Sequence, residues 1–470
     1  MSENKARPNI LMILTDDQGI WSLGCYGNRE IHTSNIDLLA QGGALFRNLF
    51  CVSPVCSPAR ASILTGRIPS AHGVHDWIKK GNLKEDGIEY LKGIQGYTDV
   101  LNENGYEVSI CGKWHLGSSF VKQKGFSHWY VHQSGAGQYY SAPMVRDGHA
   151  VTEKKHVTEA ITDEAVRIIE NASEDRPFYV SVHYTAPHMP WDRAQYPERY
   201  REMYENASFI DCPQEKPHKD ALYIYSKEDA REALIGYYSL VTQVDDCVGR
   251  LVRALEDRNM LDNTLIIFTT DNGYNFGHHG IWGKGNATRN LNMYDNSVKV
   301  PAIFYHRGKI RPMTVDAIQS HYDFFPTILE YCSLDASPDP LRPGKSFAEA
   351  LLTGEFPDSG ETVVFDEYGP VRMIRTDKWK YVDRYPDGEN ELYDMENDPD
   401  ERINLYGMTE YASKADEMKD RMEKWFQAHL DPMRDGRREK VMGYGQFCMS
   451  GDLNPGKRAF AVSDADEGET

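Results

Sequence analysis

Short runs of apolar, often β-branched residues alternate along the first three quarters of the chain with stretches whose apolar positions recur every three or four residues. An unbroken apolar run bounded by polar residues predicts a strand, and a period near 3.6 predicts one face of a helix. Residues 9–14, 107–111, 178–183, 265–269 and 300–305 are nearly continuous in apolar character, as central strands covered on both faces require. Between them, residues 158–171 predict a helix with Ala165, Ile168 and Ile169 turned inward. A longer helix is predicted after Ser226, where Ser226-x-x-Asp229 has the spacing of a capping box. Leu234, Tyr237, Val241, Val244, Val248, Leu251 and Leu255 then share one face as far as Asp257.

After about residue 360 the texture changes to short strand-like pieces, 362–366, 371–375 and 378–382, joined by Gly, Pro and Asp turns. A helix over 412–430 and an irregular tail follow, and the acidic end of the tail, 463–470, is expected to fray. The pattern predicts an α/β catalytic body over 1–360 and a smaller antiparallel-sheet subdomain over 361–470.

Composition narrows the partners. The 470 residues carry 52 Lys and Arg against 71 Asp and Glu, a net charge of −19. Without a basic face to neutralise phosphates, nucleic acid is excluded as the main partner, and an anionic substrate must be captured by a local cationic pocket. The N-terminal apolar run, Ile10 to Leu14, is broken by Thr15-Asp16-Asp17, too short for a signal or a membrane span, so a cytoplasmic protein without a membrane partner is expected. The eight cysteines form no CxxC pair, which suits a reducing compartment.

In an open α/β sheet ligands gather at the carboxyl ends of the strands. The predicted strands end in Asp16-Asp17, in Gly112-Lys113-Trp114-His115, in His183 through His188, and in Asp271-Asn272-Gly273. Asp and Asn are also ordinary turn formers. Here, however, three carboxylates and an amide stand beside a lysine and histidines, an oxygen-donor set suited to Ca²⁺ or Mg²⁺ rather than zinc.

Between the first two of these strands lies Cys56-Ser57-Pro58-Ala59-Arg60, followed by Ala-Ser-Ile-Leu-Thr-Gly-Arg. This stretch resembles the Cys-x-Pro-x-Arg motif of the type I sulfatases, in which the cysteine is oxidised to formylglycine. Residues 9–19, 112–117, 186–190, 269–273, 283–285, 294–301 and 373–398 resemble successive blocks of the same family in order. The resemblance implies an alkaline-phosphatase-like fold: a large mixed, mostly parallel sheet flanked by helices, with a C-terminal antiparallel sheet. It implies conversion of Cys56 by a formylglycine-generating maturase, and Ca²⁺, in preference to Mg²⁺, on Asp16, Asp17, Asp271, Asn272 and the modified Cys56. Arg60 is then expected to stabilise the aldehyde hydrate, Lys113 and Lys284 to clamp the sulfate, His115 to deprotonate the hemiacetal, and His188 to protonate the leaving oxygen. One hydroxyl of the hydrate attacks sulfur and the other expels sulfate, so two steps replace one difficult displacement.

Several assignments have competitors. Lys299 competes with Lys284, and His183 with His188. Gln133 and Ser134 are candidates for a further polar group at the sulfate, and His72, His75, His278 and His279 for the entrance to the site or for ordinary surface positions. Trp21, Trp77, Trp114, Trp191 and Trp282 lie within or beside the matching blocks, and Tyr139 and Tyr140 near them. Rings there either stack on a sugar, which makes a small-molecule or oligosaccharide sulfate ester the leading substrate class, or pack the core. Two other functions fit parts of the pattern: a phosphonate monoester or phosphodiester hydrolase using the same formylglycine site, and a non-catalytic glycan-binding protein. Asn171, Asn206 and Asn286 begin glycosylation sequons, and the oligomeric state is open.

Overall fold

The computed structural model describes residues 7–357, 362–386, 388–451 and 458–466. Eight strands come first: β1 (Asn9–Thr15), β2 (Ala44–Phe50), β3 (Glu107–Gly112), β4 (His128–His132), β5 (Ala142–Arg146), β6 (His149–Glu153), β7 (Phe178–His183) and β8 (Thr264–Thr270). A two-stranded ribbon, β9 (Asn275–Phe276) and β10 (Trp282–Gly283), leads to β11 (Lys299–Tyr305), β12 (Met313–Val315) and β13 (Gln319–Ser320). Eleven of these strands form one mixed sheet in the order β12-β2-β11-β8-β1-β7-β3-β4-β5-β6, with β13 also on β2. The strands β8, β1, β7, β3 and β4 run parallel, so their carboxyl ends share one edge.

Every predicted central strand is present. The 300–305 run becomes β11, which lies antiparallel to both β8 and β2. The periodicity did not point to β2, where Arg47 interrupts the apolar run and faces solvent, nor to β6, an exposed edge strand. Alternate residues of β1 feed two separate cores: Ile10, Met12 and Leu14 on one face, Leu11 and Ile13 on the other. The helix Val157–Glu170 and the helix Lys227–Asp257 pack on the second face, with all seven predicted inward positions of the longer helix buried. At its start Ser226 Oγ accepts from Asp229 N at 3.1 Å and donates to Asp229 Oδ2 at 2.7 Å, a capping box closed through the hydroxyl instead of the Ser226 backbone.

The C-terminal sheet is antiparallel, β14 (Val364–Tyr368), β15 (Val371–Arg375), β16 (Trp379–Arg384) and an unpredicted β17 (Glu391–Asp394). The helix Ala412–His429 covers it with Met418, Met422 and Phe426, spaced by one turn and buried with Ile374 and Leu392. The expected boundary at 360/361 lies outside the described residues. So do residues 467–470 of the acidic end, while Asp466 pairs with Arg458 at 2.6 Å. No helix among the described residues is long and apolar enough to cross a membrane.

Candidate active site

The parallel strands deliver their terminal residues to one place. β1 ends in Asp16 and Asp17, β8 in Asp271 and Asn272, and carboxylate oxygens of the three aspartates lie within 4.8 Å of one another. Asp17 holds a left-handed backbone at φ 60°, strain that the surrounding hydrogen bonds maintain: its N–H donates to Asp271 Oδ1 at 3.2 Å. β3 ends at Gly112, φ 114°, where any Cβ would sit 1.8 Å from the His183 carbonyl oxygen, and the chain turns there to present Lys113. Lys113 pairs with Asp16, and neither side chain is exposed.

Cys56 opens the helix Cys56–Thr65, all of whose residues are buried. Its Sγ lies 3.6 Å from Asp16 Oδ1 and 2.7 Å from Lys284 Nζ, which also reaches Asp17 Oδ1 at 2.5 Å. One turn along, Arg60 Nε meets Asp271 Oδ2 at 2.8 Å and an Nη donates to the Lys113 carbonyl at 3.1 Å. Removing one partner of a buried pair of this kind costs about 3–5 kcal/mol, because the other charge is left uncompensated. Lys284, rather than Lys299, is therefore the lysine at Cys56, as the glycine-flanked context suggested.

The electrostatics follow from burial and these pairs. Burial opposes ionisation of Asp16, but Lys113 and then His188 hold its carboxyl below the ordinary range. Lys284 and His188 do the same for Asp17. Burial pushes the Cys56 thiol up to about 12, against the pull of Lys113 and Lys284. Burial, with the Lys113 charge, pushes the His115 imidazole well below its usual 6.5, so the ring is neutral at pH 7. Its Nε2–H donates to the Ile78 carbonyl at 3.0 Å, and Nδ1 has no hydrogen-bond partner among the described residues. Gly135 lies flat on this ring; a Cβ there would be 2.2 Å from His115 Cε1.

Above these groups opens a cavity of about 480 Å³, lined by Cys56, Lys113, His115, His188 and Lys284, with walls from Trp77, Ile78, Lys80, Gly135 to Gln138, Met189, Pro190 and Asn286. His188 Nε2 stands 3.5 Å from Asp17 Oδ2 while its Nδ1–H donates to the Met189 carbonyl at 2.8 Å. His183 is excluded: its ring nitrogens bond the Lys113 carbonyl at 3.0 Å and Ser181 Oγ at 2.6 Å, below the site.

The other candidates are placed elsewhere. Gln133 and Ser134 are not in the cavity wall; the residues just after them are. His72 and His75 are neither entrance nor surface residues but fully buried, His72 on Ser62 Oγ and His75 on the Arg434 carbonyl. His278 bonds the Asp211 carbonyl and His279 stacks on Tyr294 with ring centroids 4.0 Å apart. Of the five tryptophans only Trp77 lines the cavity. Trp114 packs on Trp129, Trp191 on Phe276, Trp21 on Tyr237 and Trp282 on Tyr225. Tyr139 is buried and donates its hydroxyl to the His188 carbonyl at 2.6 Å, while Tyr140 is exposed. Sequence reasoning missed Lys80, Asn286 and the Ile78 carbonyl. Asn286 adjoins the block containing Lys284, a signal that was available; a backbone carbonyl carries none.

The donor set also passes a test for a metal. Asn272, next to Asp271, donates Nδ2 to Asp17 Oδ1 at 2.8 Å, and its buried Oδ1 has no hydrogen-bond partner among the described residues. A cluster of three carboxylates beside an amide with an unclaimed oxygen fits a hard divalent cation.

The model for the family Sulfatase matches residues 8–334. The chain belongs to the sulfatase family. A second model, N-sulphoglucosamine sulphohydrolase, C-terminal, matches residues 277–428. An N-acetylglucosamine-6-O-sulfatase of Bacteroides thetaiotaomicron is 29% identical over 91% of this chain and 88% of its own. The uncharacterized sulfatase YidJ of Escherichia coli is 30% identical over 91% and 89%. A solved structure in complex with its substrate D-glucosamine-2-N,6-O-disulfate superposes with a TM-score of 0.76 at 26% identity, covering 90% of this chain and 98% of that one. The protein is thus a sulfatase, a sulfuric ester hydrolase with the alkaline-phosphatase-like fold expected from its motifs.

Proposed function

We propose that this sulfatase cleaves a sulfate ester of a carbohydrate using Cys56 in its formylglycine form and a divalent cation, Ca²⁺ in preference to Mg²⁺. The observation that carries the reading is the position of Cys56, at the floor of the cavity between Lys284 and the aspartate cluster. Asp16, Asp17, Asp271 and Asn272 would hold the cation, which when bound supplies positive charge at the sulfuryl oxygens and at the nucleophile. The aldehyde hydrate supplies the attacking hydroxyl and a second hydroxyl whose deprotonation releases sulfate.

The chain's own residues divide the remaining work. Lys113 and Lys284 bring two ammonium groups to the cavity floor, already oriented by Asp16 and Asp17, so stabilising sulfuryl charge requires little reorganisation. Arg60 is anchored on Asp271 and the Lys113 carbonyl beneath the nucleophile. His115 is neutral with Nδ1 unprotonated, the state a general base needs. His188 has Nδ1–H committed to Met189, leaving Nε2, near Asp17, to carry the proton for the departing alcohol. The wall combines an indole face at Trp77 and apolar Met189 and Pro190 with polar Gln138, Asn286 and Lys80, a mixture that suits a sugar alcohol. Likeness to an N-acetylglucosamine-6-O-sulfatase and to a structure bound to D-glucosamine-2-N,6-O-disulfate supports an amino sugar.

The test is the mass of the tryptic peptide 48–60 after coexpression with a formylglycine-generating maturase, confirmed by a carbonyl-reactive probe, followed by paired kinetics. Conversion at Cys56 and a higher kcat/KM on glucosamine 6-sulfate than on a phosphonate monoester are expected. An untouched thiol despite an active maturase would remove the nucleophile, and a large preference for phosphorus would replace the substrate class.

A further inference from the structure

His115 is held by a segment that cannot hold itself. Residues 73–79 lie between the short helix Pro69–His72 and the turn Lys80–Leu83 with no helix or strand of their own. Yet Ile78 makes two contacts that fix the histidine. Its carbonyl accepts His115 Nε2–H at 3.0 Å, and its N–H donates to Ser57 Oγ, whose hydroxyl donates to the His115 carbonyl at 2.9 Å.

The segment is secured from the far end of the chain. The Gln446 side chain is fully buried, and all its hydrogen-bonding capacity is spent there. Oε1 accepts from the His75 and Asp76 N–H groups at 2.9 and 3.3 Å, and Nε2 donates to the Gly73 and Cys448 carbonyls, both at 2.9 Å. The Gln446 backbone brackets Ile78, donating to the Trp77 carbonyl at 2.8 Å and accepting from Lys79 N at 3.0 Å. Beside it, Gly445 N donates to Asp76 Oδ2 at 2.9 Å. The Gly443 carbonyl accepts from two cavity-wall groups, Trp77 Nε1 at 3.1 Å and Asn286 Nδ2 at 3.3 Å.

We propose that Gln446, with the strap 443–448, is a positioning residue for catalysis: it fixes the Ile78 carbonyl, which holds His115 in the tautomer whose free Nδ1 serves as the base. The other tautomer would place a proton on Nδ1, which meets no acceptor among the described residues, whereas the Ile78 carbonyl favours the proton on Nε2. The assignment rests on the reading of His115 as the base, and its test separates the two.

Gln446→Met fills the same volume without the hydrogen bonds, and Gln446→Glu keeps the acceptor while losing the donor. Ser450→Ala is the control, a buried residue beyond the strap whose Oγ, among the described residues, bonds the Gly73 carbonyl at 3.2 Å. Imidazole ¹⁵N spectra of the full-length protein, with the His115 signals assigned by His115→Gln, report the tautomer whether or not the protein turns over substrate. The wild type and Ser450→Ala are expected to show a single Nε2–H form at His115, and Gln446→Met a mixture. On the matured enzyme, kcat on glucosamine 6-sulfate should fall about tenfold or more in Gln446→Met with KM within about twofold, part of the 10²–10⁴ carried by a general base. Gln446→Glu should lie between Gln446→Met and wild type. An unchanged tautomer and kcat in a folded Gln446→Met, or an equal loss in Ser450→Ala, would overturn the proposal. Should Gln446→Met not fold, the same outcomes in Gln446→Glu decide it. A tautomer shift with full activity in His115→Gln would instead overturn the role of His115 and leave the structural link standing.

Discussion

Two buried charge clusters, built from the same residue types, do different things in this molecule. At the carboxyl edge of the parallel strands, Asp16, Asp17 and Asp271 are balanced by Lys113, Lys284 and Arg60. Where the C-terminal sheet meets the main body, Lys380 on β16 lies 2.9 Å from Asp295 Oδ1 and 2.5 Å from Glu401 Oε1, and Glu401 Oε2 accepts from Asp295 N. The second cluster spends its charges joining the two sheets, and Lys380 has no exposed surface. The first opens on a cavity lined by Cys56, Lys113, His115, His188 and Lys284. Burial and pairing alone therefore do not mark a functional site, and neither do unpartnered polar atoms, which the second cluster also has at Asp366 and Arg375; charges converging on a buried cysteine at a cavity do.

The contrast can be broken by one substitution made twice. Lys284→Met should lower kcat/KM on a sulfate ester by at least about 10³-fold, the scale of losing a preorganised charge at a developing oxyanion. Lys380→Met should instead cost about 3–5 kcal/mol in denaturant unfolding while kcat/KM of the folded fraction stays within about threefold. Equal activity losses in the two variants would erase the distinction. A cation sharpens it further: on the proposed metal reading, Ca²⁺ at a hundredfold excess over its Kd should add about 2.7 kcal/mol to the wild type and to Lys380→Met alike, measured by melting with and without chelator. Substituting Asp271→Asn should abolish that increment. The smallest effect is expected at the wall, where Trp77→Ala should raise KM for a sugar sulfate about fivefold with kcat nearly unchanged, about 1 kcal/mol of lost ring contact.

Much of this site was legible before the fold was known. Cys56-x-Pro58-x-Arg60 marks the proposed nucleophile and its neighbour one helical turn on, and the polar residues after each apolar run mark the strand ends. A parallel sheet then brings Asp16, Lys113, His188 and Asp271 together whatever the loops between them do. Tryptophan positions could not decide between sugar stacking and core packing, because proximity in sequence to a motif says nothing about which face of the chain a ring occupies: Trp114 follows Lys113 directly and points into a core of Trp129 and Phe126. The same holds for His72 and His75, whose polarity suggested an entrance or a surface and whose hydrogen bonds place them inside.

Apolar run length, donor chemistry and the order of the motifs are properties of neighbouring residues, so the α/β architecture and, through the resemblance, the family could be named from the chain alone, together with candidates for the proposed acid, base, clamps and metal donors. The choice between His183 and His188, the separation of a catalytic lysine from an architectural one, and the tautomer of His115 could not. Each depends on groups distant in the chain or on backbone carbonyls that have no side chain to announce them. Gln446 and His75, 371 residues apart and bonded at 2.9 Å, are joined only because the folded chain returns its tail to the rim of the cavity.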